Sequence, residues 1–175
     1  HPLHASEKAI ELIKKAGGTS AISGIQNGSE RFRREHFART ETNDQIAAMA
    51  ERLNPRFYMN YDLIFDTPFE TDEDRRETIR LFLRFPHPFS LMTNSFISLP
   101  GCSLTHRALA AGEIGTEDLV WKQEAGWDMM DYRQRRRPVR THNLYILLCL
   151  TQHPEFSREE IEAWMNDDEM VSHPY

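Results

Sequence analysis

The stretch GIQNGSERFRREHFART, Gly24 to Thr40, decides how this chain is read. A short apolar segment closes on Ile25 and Gln26, turns through Asn27, Gly28 and Ser29, and enters a basic segment ending at Arg39. Thr19 to Gln26 is rich in small and β-branched residues and bounded by glycines, which reads as a buried strand. A strand that ends on polar Gln26 and a glycine-containing turn is built to present something at its carboxyl end.

The same pattern recurs outward from it. Upstream, Ser6 to Ala16 predicts a helix with Ser6 as N-cap, Ala9, Ile10, Ile13 and Ala16 on one face, and Gly17-Gly18 as the stop. Downstream, Thr42-Asn43-Asp44-Gln45 has the form of a capping box, followed by Ile46, Met49, Ala50 and Leu53 at helical spacing. After Pro55, Phe57 to Ile64 alternates, with Phe57, Met59, Tyr61 and Leu63 facing one way and the more polar Tyr58, Asn60, Asp62 and Ile64 the other. Thr71 caps a helix carrying Ile79, Phe82 and Leu83, and Phe89 to Leu99 reads as a third strand closed by Pro100-Gly101. Helix and strand alternating at intervals of roughly 30 residues predict parallel strands with right-handed crossovers. Beyond Gly112 the strand signals stop. Glu117 to Met130 and Leu144 to Leu150 read as helical, and the Ser157 to Glu160 capping box opens a last helix through Trp164. The expected division is residues 1–114 as an α/β unit and 115–175 as a helical extension.

Composition sets the limits. With 175 residues, 39% of them hydrophobic, the chain is able to bury roughly 70% of its unfolded surface. A net charge of −6 argues against general nucleic-acid affinity. No window approaches the apolar length of a membrane span, and His1-Pro2-Leu3-His4 is unlike a secretory signal, so a cytoplasmic setting is expected. Cys102 and Cys149 stand outside any metal-ligand spacing, as do His36, His87, His106 and His142, and no metal ligand is assigned. Five arginines fall between Arg133 and Arg140, a run that serves either as a solvated face or as an anion site.

Ligands of parallel α/β folds sit beyond the carboxyl ends of the strands, where helix N-termini converge. Those ends carry Gln26, then Asp62 and Asp66, then Ile97. An amide and a carboxylate on adjacent strands suit the paired hydroxyls of a ribose, and Arg39 is suited to clamping a carboxylate. Ile64 and Ile97 are placed to flank a flat base. Each also has a plainer reading: Gln26 bridging backbone groups in a turn, Asp62 neutralising an arginine, Arg39 on the surface, and both isoleucines in the core.

The strings Gly24-Ile25-Gln26-Asn27-Gly28-Ser29-Glu30-Arg31, Asp62 to Thr71 and Leu99 to Leu104 together resemble the second half of the radical SAM catalytic domain, closest in flavour to its cobalamin-binding subgroup. The resemblance spans Leu3 to Ile114. It implies a partial (β/α) barrel, here about three βα units, in which a four-iron four-sulfur (4Fe-4S) cluster reduces S-adenosylmethionine to release a 5′-deoxyadenosyl radical. Under it Gln26 and Asp62 correspond to ribose contacts, Arg39 to the methionyl carboxylate contact, and Ile64 and Ile97 to the adenine enclosure. The three-cysteine cluster loop is absent from these 175 residues, and Asn27, Asp66 and Cys102 stand where the family usually has Ser, often Gly and often Thr. The implied protein is a fragment whose cluster loop, possible cobalamin domain and partnering barrel half lie upstream. Two alternatives stand beside it: a non-catalytic α/β binding module using the Arg133 to Arg140 segment, and a hydrolase using Asp62 and Asp66 as acid and base.

Overall fold

The computed structural model describes residues 6–120 and 137–174. Three strands, β1 (Ser20–Gln26), β2 (Tyr58–Phe65) and β3 (Phe89–Ser95), form one parallel sheet in the order β1-β2-β3. Helix α1 (Glu7–Lys15) precedes β1, α2 (Glu30–Phe37) and α3 (Asn43–Leu53) connect β1 to β2, and α4 (Asp72–Phe82) connects β2 to β3. The chain continues through α5 (Ser103–Ala111), a 3₁₀ turn (Thr116–Asp118), α6 (Val139–Leu150), α7 (Arg158–Asn166) and α8 (Asp168–Ser172). The α/β class with parallel strands is therefore as expected. No helix among the described residues is long and apolar enough to cross a membrane.

Helix starts follow the capping chemistry. Thr42 and Thr71 close reciprocal boxes with Gln45 and Asp74, Ser157 does so with Glu160, and Ser6 accepts from the Ala9 N–H. The segment after Gln26, expected only to be basic, is the eight-residue helix α2, capped by the Ser29 hydroxyl and ended by Ala38 in a left-handed conformation. The apolar pattern there is too sparse to announce a helix, because the helix buries a cation: Arg33 is 1% exposed and donates to the carbonyls of Asn27 and Glu41 and to Asn43 Oδ1.

The sheet has two unlike faces. Met59, Tyr61, Leu63 and Phe65 pack under the helices, with Tyr61 against Phe82, Phe85 and Phe89. The opposite face is open, and Ile22, Tyr58 and Met92 are exposed on it. Strand β3 is shorter than expected. It leaves the ladder after Ser95, and Ser98 instead forms an isolated bridge to Leu119 while its carbonyl accepts from the Val120 N–H. Glu117 and Asp118 are correspondingly in the 3₁₀ turn, not an α-helix, and the remainder of that expected helix lies outside the described residues.

Leu144, Leu147 and Leu148 of α6, Ile161 and Met165 of α7 and Val171 of α8 join the same core cluster as Ile79 and Phe82 of α4 and the strands. The helices from α6 onward thus share one core with the sheet. Helix α6 also starts five residues earlier than the Leu144 to Leu150 signal, straight after Pro138.

Gly28 is where the β1 exit meets α4. A Cβ there would lie 2.2 Å from Thr78 Cα, whereas one on Gly101, at φ +85°, meets nothing. Gly28→Ala is expected to cost about 3 kcal/mol by backbone overpacking, and Gly101→Ala about 1 kcal/mol from its left-handed conformation alone. Urea unfolding of the two variants measures the difference.

Candidate functional site

The end of β1 is irregular. Gly24 pairs with Asp62 and Gln26 with Leu63, so Ile25 is an extra residue in the ladder, and Gln26 adopts a left-handed φ of 72°. This geometry folds the Gln26 side chain back over Gly24, whose added Cβ would meet Gln26 Nε2 at 2.5 Å. Arg39 reaches the same glycine, donating from Nη1 to the Gly24 carbonyl at 3.2 Å, with Glu41 Oε1 at 3.7 Å from that nitrogen. Asp62 is the ladder partner of Gly24 on β2 and accepts from Asn94 Nδ2 at 2.8 Å.

Gly24 is therefore the common neighbour of Gln26, Arg39 and Asp62. All three are partly exposed, as is Ile64, which shares the open face with Asp62 and pairs with Asn94. Ile97 lies just past the end of β3 and is also half-buried, so neither isoleucine belongs to the closed core. Arg39 is held by a carbonyl and a carboxylate, a contact set that the sequence alone did not indicate.

Asp62 and Asp66 do not converge. Asp66 is left-handed at φ 55° and accepts from Ser95 Oγ at 2.7 Å. Arg137 grips it with Nε at 2.7 Å and Nη2 at 2.6 Å while lying 4.4 Å from the Tyr145 ring and 5.2 Å from the Phe65 ring. Ser95 and Phe65 are ladder partners on the helix-covered side, so Asp66 turns there while Asp62 faces the open side. The acid and base pair of the hydrolase reading is absent for that reason. Burial opposes ionisation of Asp66, and the bonds from Arg137 and Ser95 outweigh it, holding its carboxyl below the usual range.

The arginine-rich segment is accounted for in part. Arg137 belongs to Asp66, and Arg140 bonds Asp72, Asp168 and Ser172. Both tie the C-terminal helices to the β2 exit and α4. Arg133, Arg135 and Arg136 lie outside the described residues.

A second polar cluster went unnoticed in the sequence. Beside the β2 exit is a cleft of about 780 Å³ lined by Thr67, Phe69, Glu70, Arg75 and Arg137 among others. The Glu70 side chain is 1% exposed, accepts from Asn27 Nδ2 at 2.5 Å and stands 3.4 Å from Arg75 Nε. Burial raises its pKa from 4.5 to about 7, against the opposing pull of Arg75 and the Asn27 bond. The signal available in sequence was only a glutamate before a helix cap; its burial is a tertiary fact.

Two expectations follow. Arg137→Ala strands a buried carboxylate and should lose about 3–5 kcal/mol, while Arg140→Ala, partly solvated, should lose about 1 kcal/mol or less; chemical denaturation reads both. For Glu70 the folded chain holds its proton to a higher pH than the unfolded chain. The contribution of Glu70 to stability should therefore be lost as pH rises from 4.5 to about 7, against the opposite trend from His36 and His87, whose lowered pKa values favour the fold as pH rises towards 6.5. Relative to wild type, Glu70→Gln should lose that decline in thermal melts across pH, leaving the acid-side loss from Asp66 below it intact. No protein-family model matches this chain, and no curated protein does.

Proposed function

We propose that the chain supplies the adenosyl-binding half of a radical SAM barrel, with Gln26 and Asp62 as ribose ligands, Arg39 as the partner of the methionyl carboxylate, and Ile64 and Ile97 flanking adenine. One observation carries the reading: an amide, a guanidinium and a carboxylate meet around Gly24 at the carboxyl end of a parallel sheet. The Asp62 carboxylate accepts from ribose hydroxyls while Asn94 holds it in place, and the Gln26 amide offers a donor and an acceptor to the same diol. Arg39, held at Gly24, has nitrogens left to donate to a carboxylate. The exposed Ile22, Tyr58 and Met92 give the open face an apolar floor suited to cover by the rest of a barrel.

In the complete enzyme the cluster supplies the electron that starts radical chemistry on the bound sulfonium. No group of three His, Cys, Asp or Glu among the described residues is placed to hold a metal ion, and the sequence has only two cysteines, so these residues do not fit the cluster. In this reading the cluster, and the cobalamin of the resembling subgroup, belong to other segments of a cytoplasmic enzyme. The alternative of an anion-binding module gains no support from Arg137 and Arg140, which carboxylates already engage.

S-adenosylmethionine binding by calorimetry tests the proposal. Asp62→Ala should weaken binding about tenfold or more, the worth of a charged hydrogen bond, and Gly24→Ala should do so by displacing the Gln26 amide while leaving the melting temperature near wild type. Arg140→Ala should bind as wild type. Affinity indifferent to Asp62→Ala and Gly24→Ala would overturn the assignment. Anaerobic reconstitution with iron counting should find no stoichiometric four-iron cluster on this chain alone.

A further inference from the structure

Gln26 carries a backbone conformation that non-glycine residues avoid, at φ 72°, and something must hold it there. The next residue does. Asn27 is buried, its Oδ1 accepts from the Ser29 N–H at 2.8 Å, and its carbonyl accepts from Arg33 at 2.7 Å. Its side-chain nitrogen, Nδ2, donates to Glu70 across the gap between the loops that follow β1 and β2.

We infer that Glu70 is a positioning residue: its carboxylate grips Asn27 and thereby holds the Gln26 amide over the open sheet face, so that a proton gained by Glu70 loosens the adenosyl site. The inference rests on the reading of Gln26 as a ribose contact. The bond from Asn27 to an ionised carboxylate is charge-assisted, and it weakens when the charge goes. Arg75 Nε, 3.4 Å from Glu70 Oε2, favours the ionised form by its charge and so opposes the effect of burial. Among the described residues the charges acting most on Glu70 are Arg75 and Asp74 of α4, paired also with Asp72 and Arg31 respectively, and Asp66 at the β2 exit, neutralised by Arg137; Glu113 and Asp118 line the same cleft. His36 of α2 is next to the site, stacked on Phe69 at 5.2 Å, and burial lowers its pKa from 6.5, on the acid side of the Glu70 transition. Burial places that transition at about 7, within the range a cell's interior spans.

Two measurements on the whole chain test this. In the ligand-free protein, the ¹⁵N-edited signals of the Asn27 side-chain amide are followed from pH 6 to pH 8, in wild type and in Glu70→Gln. They should titrate with a midpoint near 7 in wild type and stay still in the variant, with His36→Asn behaving as wild type. In parallel, S-adenosylmethionine affinity should fall about tenfold from pH 8 to pH 6 in wild type, the difference between a charged and a neutral hydrogen bond. Glu70→Gln should bind weakly and without pH dependence. Asn27 signals that ignore pH overturn the inference, as does titration of Asn27 with an affinity that stays flat. If no adenosyl ligand binds at any pH, the ligand reading falls, and with it the role in binding, while the Asn27 titration still measures the coupling itself.

Discussion

Asn27 is a buried side chain with every polar atom in use, and the candidate site depends on that condition. Its carbonyl is bonded by Arg33, its Oδ1 by Ser29, and its amide reaches Glu70. Arg33 in turn is pinned to the carbonyl of Glu41 and to Asn43, and Asn43 Nδ2 bonds the Gly28 carbonyl. A buried polar network of this kind fixes its members' geometry through several bonds at once, although Arg33 Nε and Glu70 Oε2 find no hydrogen-bond partner within it. Gly28 closes the arrangement sterically: its N–H reaches Thr78 Oγ1 at 2.8 Å because no side chain stands between the loop and α4.

Periodicity and capping made the framework legible in advance. The strand at Tyr58–Phe65 could be read because alternate positions differ so sharply in polarity, and the boxes at Thr42, Thr71 and Ser157 because reciprocal capping needs fixed residue types at fixed spacing. The site was legible as far as residue chemistry at strand ends goes. Gln26, Arg39 and Asp62 do surround one glycine, yet the extra residue at Ile25 that allows this has no mark in the local pattern. What escaped was set by long-range partners. Helix α2 hides behind a charged sequence because its buried side has Arg33 where a core residue is expected, and the fate of Asp66 was set by Arg137, 71 residues away. The stop of β3 at Ser95, short of Leu99, likewise reflects a competing bridge from Leu119.

The left-handed residues sharpen this point. Gln26 and Asp66 end β1 and β2 respectively, and neither is glycine. Such conformations cost about 1–3 kcal/mol and persist only where surrounding contacts over-determine them. The two ends are held by opposite means. Gln26 keeps its own side chain partly exposed and lets its neighbour Asn27 supply the restraint, whereas Asp66 supplies it directly through Ser95 and the bidentate grip of Arg137. A residue whose strain is carried by its neighbour retains a free functional group. One whose strain is carried by its own side chain does not.

That contrast assigns the two ends different work. The β2 exit is where the C-terminal helices are fastened: Arg137 crosses to Asp66, Tyr145 bonds Thr93 on the covered face, and Arg140 reaches Asp72 at the start of α4. The β1 exit is where the polar groups remain available, beside an open face that carries both Asp62 and exposed apolar side chains. A ligand placed over Gly24 would contact Gln26, whose backbone is held by the Asn27 network, Asp62, held by Asn94 of β3, and Arg39, held by the Gly24 carbonyl and Glu41. Changes at the fastening point reach such a ligand through the loop between Asp66 and Glu70, through α4, which meets Arg140 at Asp72 and Gly28 at Thr78, and through β3, whose neighbouring Asn94 and Ser95 hold Asp62 and Asp66.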